Sequence, residues 1–191
     1  MENNCFELIV DGCLDYLEIG IIKNKRIVDS CFVIQEKNLT KILIPQIEQI
    51  IAKNKLDKSD LKKIYVINGP GSFASQKSTV IFANTFKAVF NQVQLLYLDS
   101  VHWNITKDNE IVFIDAKSNL YYIGAKNLKK PYLIHYQDVK KINPNLIKYF
   151  YSLQHKKSLV EKWNHNQDKF KSADFITPNY VKQPAFDYSK K

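Results

Sequence analysis

Two aspartates stand where apolar runs end, Asp11 after Phe6 to Val10 and Asp115 after Glu110 to Ile114. A carboxylate at such a strand end can hold a cation that bridges nucleotide phosphates, since a bound cation is often the largest local charge in a site. Gly69-Pro70-Gly71-Ser72 follows a strand-like run and opens a helix-like one. Backbone N–H groups at such a helix start favour anions. Asp11, Gly12, Gly69, Gly71, Ser72 and Asp115 are therefore the candidate nucleotide-binding set. The competing reading is a tight strand-to-helix corner with Ser72 as cap, and strand-end carboxylates that belong to the fold. Cys13 offers no strong donor, and Lys117 is expected to be solvated or paired with Asp115. His102, His135, His155 and His165 are scattered. No HxxxH puts two imidazoles on one helix face, so no metal site is expected. No GxSxG, HExxH or Cys/His signature nominates a catalytic nucleophile or base.

The elements that must position these residues read β-β-β-α-β-α-β over residues 6–99. Residues 6–10, 14–22 and 26–35 are strand-like, with an Asn-containing hairpin link at 23–25. A helix over 38–54 places Leu39, Leu43, Ile44, Ile47, Ile50 and Ile51 on one arc of about 140° and leaves Ile42 alone on another side. Asn38 is its expected cap, and Pro45 should kink it or sit in its first turn. Residues 63–68 form a strand, and 72–92 a second helix. Phe82, Phe86, Val89, Phe90 and Val93 make one apolar arc of that helix, Ala74, Val80, Ile81 and Ala88 a second. A helix apolar on two sides is covered on two sides. Gln76, Lys77, Asn84, Lys87 and Asn91 form its polar sector. After a strand at 94–98 the pattern restarts, because EIVFID (110–115) repeats FELIVD (6–11) and LYYIGA (120–125) repeats the second strand. Residues 132–136 suit a third strand, 138–153 a helix and 158–160 a short strand. The expected organisation is an N-terminal lobe over 1–99, a connector over 100–109, and a reduced C-terminal lobe with its tail over 110–191.

Composition narrows the classes. With 45% hydrophobic and 13% aromatic residues in 191, the chain can build a core. No apolar run approaches the roughly 18 residues of a membrane span. Cysteines at 5, 13 and 31 form no paired framework, and Met1 to Asn4 carries no signal-peptide pattern, so a reduced, cytoplasmic protein is expected. The formal charge is +9, with Arg26 the single arginine. Residues 1–125 hold 14 basic and 14 acidic side chains, and residues 126–191 hold 14 and 5. The excess lies entirely in the last third, which suits an acidic or nucleic-acid partner there, or a solvated lysine surface.

The lobe repeat resembles the actin/Hsp70/sugar-kinase α/β fold of two ribonuclease-H-like lobes. The segment GPGSFASQK (69–77) resembles the GPGSFTGxR signature of the TsaB family. LIVDGCLDYLEIGII (8–22), Asn38 to Pro45, FIDAKSNLYYIGA (113–125) and Pro178 to Lys182 resemble further family segments in order. The signature's Thr-Gly is Ala74-Ser75 here and its Arg is Lys77, changes that remove close backbone approach and a forked donor.

The resemblance implies a non-catalytic dimerisation subunit of the tRNA threonylcarbamoyladenosine machinery. Its partners would be TsaD as a heterodimer, the ATPase TsaE, and tRNA indirectly, with a homodimer also open and no membrane contact. The resemblance implies a helix-on-helix interface, and Leu39, Ile42, Leu43, Ala74, Lys77, Val80, Ile81, Asn84 and Ala88 are the residues expected to line it. No intrinsic cofactor is expected, with weak ATP or ADP contact at the complex interface left open. The alternatives are a small ATP-binding enzyme of the sugar-kinase type and a tRNA-binding module. The latter would use the basic tail with Tyr180, Phe186 and Tyr188. A tail packed back on the first lobe through Phe175, Ile176, Tyr180 and Val181 is the competing reading.

Overall fold

The structure, a computed structural model, describes residues 5–34 and 39–182. The expected cap Asn38 and the tail aromatics Phe186 and Tyr188 lie outside them. Strands β1 (Phe6–Asp11), β2 (Tyr16–Lys23) and β3 (Arg26–Ile34) form an antiparallel meander. Asn24 and Lys25 both have positive φ at the β2–β3 hairpin, the backbone that matches strand twist in a two-residue turn. Helix α1 (Leu39–Lys53), β4 (Leu61–Ile67), α2 (Phe73–Val89) and β5 (Gln94–Leu98) follow. Strands β4 and β5 run parallel to β1.

Helices α1 and α2 cover one face of this sheet. Leu39, Leu43, Ile47, Ile50 and Ile51 of α1 are buried against Leu8, Val10, Leu17, Ile19 and Ile21. Each such side chain contributes about 1.5–3 kcal/mol relative to exposure. Ile44, expected on the same arc, is exposed instead, and Ile42 packs partly against the core. Pro45 stands in the second turn of α1, on its exposed side, rather than in the first.

Residues Ser100–Trp103 form a one-turn helix, α3, capped by Asp99. Then β6 (Glu110–Lys117), β7 (Leu120–Ala125), β8 (Tyr132–His135) and β9 (Ile147–Phe150) build a second sheet in the order β8-β7-β6-β9. Strand β9 is parallel to β6, as β4 is to β1, so the order reproduces β3-β2-β1-β4. Where the first lobe carries α1, the second has only a 3-10 turn at Tyr136–Lys141. The helix expected over 138–153 does not form. Pro144 disfavours helix at and before its position, and Ile147 to Tyr151 is a β-branched and aromatic run that pairs with β6. The strand expected at 158–160 is the start of helix α4 (Leu159–Asn166), with Ser158 Oγ accepting from the Glu161 N–H at 3.1 Å.

The chain then returns to the first sheet, so the assignment of all of 110–191 to the second lobe does not hold at its end. Leu159 and Trp163 of α4 pack with Ile9, Ile22 and Tyr65 on the sheet face opposite α1 and α2. Strand β10 (Lys171–Ala173) pairs antiparallel with β5, giving the order β10-β5-β4-β1-β2-β3. Ile176 enters the core beneath α2, and Phe175 stays exposed. Tyr180 stacks on Phe73 with ring centres 4.7 Å apart, and Val181 packs on the second lobe.

His102 of α3 ties the two sheets together. Its Nδ1 is 2.7 Å from Asp99 Oδ2 and its Nε2 is 2.7 Å from the Leu128 carbonyl, so both ring nitrogens face acceptors. Burial works against the charge, but the Asp99 carboxylate and the Leu128 and Ala125 carbonyls outweigh it and raise its pKa. A raised native pKa gives stability that is full below about pH 6.5 and is lost as pH rises through the native value. The stability gap between wild type and His102→Asn, measured by urea unfolding, should be widest at pH 5.5 and shrink toward pH 9. A gap that grows with pH would contradict the assigned imidazolium.

Candidate partner interface

A groove lies on the outer side of the α1–α2 pair. Its floor is Leu43 and Ile47 of α1 with Phe82 and Phe86 of α2, and its volume is about 560 Å³. Thr40 and Ile44 form one rim, Ser78, Ile81, Thr85 and Val89 the other. These rim positions recur every three or four residues, so each helix offers a single ridge. Ile44 is 45% exposed, Ile81 52% and Val89 69%. Three large aliphatic side chains left this open around one apolar groove form an exposed apolar patch. Charge is confined to one end, where Lys58 and Glu48 neutralise each other at 2.8 Å.

The expected interface residues divide between this face and the core. Ala74, Lys77, Ile81 and Ala88 lie within about 60° of arc on the exposed side of α2. Leu39, Leu43 and Val80 are core residues with almost no exposed surface, and of these only Leu43 reaches the groove, as floor. Ile42 is half-buried against the core, so Ile44 takes the surface place it was given. Asn84 is engaged by the chain itself: its Nδ2 donates to the Ile176 carbonyl at 2.8 Å, and its Oδ1 accepts from the Ile176 N–H at 3.0 Å. The expected polar sector of α2 is therefore partly a docking strip for residues 176–179. Ile44, Thr85 and Val89 were missed. Val89 belongs to the expected core arc but is exposed, because a hydrophobic pattern alone does not separate a buried side from an exposed one.

Within the candidate nucleotide set, Asp11 and the glycine turn are engaged by the chain's own groups. Asp11 is fully buried, and its Oδ2 accepts from Tyr16 OH at 2.6 Å, Trp103 Nε1 at 2.8 Å and Lys162 Nζ at 3.0 Å. Lys162 also donates to Glu18 Oε2 at 3.0 Å and Tyr16 OH at 2.9 Å, which satisfies all three ammonium protons. Lys156 pairs with the other Glu18 oxygen at 2.8 Å, so two carboxylates meet two cations. Burial, then the charges of Asp11 and Glu18, push the Tyr16 phenol up, so it remains a donor. The Cys13 thiol is raised by burial and by Asp11, and it donates to the Ile67 carbonyl. Asp115 is exposed and elsewhere. Burial pushes its pKa up, but the Lys117 ammonium at 2.8 Å and the Lys117 N–H hold it below the usual range.

The glycine turn is packed rather than open. Gly69 has φ +104, a left-handed backbone that favours glycine. The Ser72 N–H donates to the Cys13 carbonyl at 2.9 Å, and the Ser100 N–H to the Gly69 carbonyl at 2.7 Å. A Cβ on Gly71 would lie 2.1 Å from the Cys13 carbonyl oxygen. Ser72 precedes α2 without a side-chain cap. The residues present do not fit a phosphate cradle, and the turn serves as the corner that aims α2. Gly71→Ala should cost about 1–3 kcal/mol through this backbone collision. Denaturant unfolding checks it, and a loss under about 0.5 kcal/mol would contradict the packing. Among the described residues no group of three His, Cys, Asp or Glu is arranged to hold a metal.

Among the described residues, no helix is long and apolar enough to cross a membrane. The family model for TsaD, tRNA N6-adenosine threonylcarbamoyltransferase, matches residues 33–132, just over half of the chain. The uncharacterized protein MG208 of Mycoplasma genitalium is 31% identical over 121 residues, 62% of each chain. Its homolog in Mycoplasma pneumoniae is 30% identical over 123 residues, 63% of each. The match thus spans about three-fifths of the length of these curated relatives. An uncharacterized Pseudomonas aeruginosa protein, described as similar to peptidase YEAZ, superposes with TM-score 0.74 at 12% identity, covering 93% of this chain and all of that one. YeaZ from the same organism gives 0.67 at 12% identity, covering 92% and 99%. These two show the fold, the actin-like α/β architecture of two ribonuclease-H-like lobes. The sequence match places the chain in the TsaD family, and its fold is the one seen in YeaZ.

Proposed function

We propose that the chain is a non-catalytic subunit that binds TsaD through the α1–α2 face. TsaD would then pass the threonylcarbamoyl group from threonylcarbamoyl-adenylate to N6 of the adenosine beside the anticodon of ANN-decoding tRNAs. The observation that carries this reading is the apolar groove flanked by exposed Ile44, Ile81 and Val89. Two parallel ridges of this kind suit a second helix pair, which would complete a four-helix bundle at a shallow crossing angle. The occupied Asp11 and the packed glycine turn agree with leaving the chemistry to the partner. TsaE and tRNA would join through the assembled complex, and no bound nucleotide is required of this chain. The test is co-purification with TsaD, followed by nucleoside analysis of tRNA from cells depleted of this protein. Co-purification and loss of threonylcarbamoyladenosine are expected. A chain that leaves TsaD free, with the modification at its normal level, would refute the proposal.

A further inference from the structure

A second cavity, of about 290 Å³, lies beyond the ends of the parallel strands β4 and β5, away from the helical groove. In open α/β sheets this end of the strands is where ligands bind. Lys129 and Lys130 reach it from the β7–β8 connection, and Lys171 from β10. Among the described residues none of the three takes part in an ion pair. The carboxylate in the wall, Asp99, is held by the N–H groups of Val101 and His102 and pairs with the His102 ring at 2.7 Å rather than with any of the three lysines. Asn68 also lines the cavity and is 6% exposed. Its Nδ2 donates to the Thr177 carbonyl at 3.0 Å, which fixes the amide, and its Oδ1 is buried with no partner among the described residues. A buried acceptor left unmade costs free energy that a ligand donor can recover. Tyr97 and Tyr180 supply the ring surface of the wall.

We infer that this cavity binds a small phosphate monoester bearing a hydroxyl group, of sugar-phosphate size. The phosphate dianion answers the three lysines through charge-assisted hydrogen bonds. A ligand hydroxyl donates to Asn68 Oδ1. The volume suits a ligand of this size and lies at the small end of ligand sites. Thr177 to Tyr180 form one wall, so the ligand also touches the segment that docks on Asn68 and Phe73.

The experiment is calorimetric titration of the full chain, without any partner, with ribose 5-phosphate at low salt. Saturable binding is expected, with none for ribose. Lys171→Ala and the double variant Lys129→Ala/Lys130→Ala should each weaken it about tenfold or more, with melting temperatures unchanged because all three lysines are exposed. Absence of saturable heat up to about 10 mM, equal binding of ribose, or unchanged affinity in both lysine variants would overturn the inference. None of these outcomes depends on the partner reading.

Discussion

Replacing Lys162 by methionine is expected to destabilise the protein by about 3–5 kcal/mol, the cost of breaking a buried ion pair from one side. The ammonium has no exposed surface and sits between Asp11, Glu18 and Tyr16, at 2.9–3.0 Å from each. Methionine fills much the same volume but leaves Asp11 wholly buried with the Tyr16 and Trp103 donors alone. Glu18 keeps Lys156, so most of the penalty should fall on Asp11. The triple variant Lys162→Met/Asp11→Asn/Glu18→Gln should recover part of the loss, because it removes the stranded charges along with the cation. Urea or guanidinium unfolding measures both. A loss below about 1 kcal/mol for the single variant, or no recovery in the triple one, would show that the network is not the stabilising contact between α4 and the first sheet.

This network also explains what the sequence could and could not disclose. Strands β1 to β7 and helices α1 and α2 were legible because each carries its own period and ends on a turn residue. The duplication was legible because FELIVD and EIVFID both carry an apolar run into a terminal aspartate. The end of the chain was not. Lysine is almost never fully buried without a partner, and nothing near Lys162 in sequence tells that its partners stand 144 and 151 residues away. Helix α4 was missed although Ser158-x-x-Glu161 is a cap signature, because Ser158 to Val160 also reads as a short strand. The +9 changes meaning in the same way. Lys156, Lys157 and Lys162, all from the basic third, are turned inward onto Glu18, Glu110 and Asp11. Part of the apparent nucleic-acid signal is thus the C-terminal segment's attachment to the neutral part of the chain. The glycine turn was legible as a motif but not in its use, since only the packed structure brings Cys13 against Gly71.

The second large effect belongs to the interface. Ile81→Glu should weaken TsaD binding by about 30-fold or more, the size of a truncated hot spot with an unpaired charge added. Ile81 stands at the rim of the groove, 52% exposed, on the ridge it shares with Ser78, Thr85 and Val89. In the isolated chain glutamate at this position meets water and suits a helix, so stability should move by no more than about 0.5 kcal/mol. Lys140→Glu, exposed on the second lobe, serves as a charge control and should leave affinity unchanged.

The measurement that tests the account most directly is calorimetric titration of TsaD with the wild-type chain and with folded Ile81→Glu. One-to-one binding by the wild type, lost or weakened about 30-fold by the substitution, is the predicted result. No binding by the wild type, or equal affinity for the two chains, would contradict the assignment of the α1–α2 face as the surface that meets TsaD.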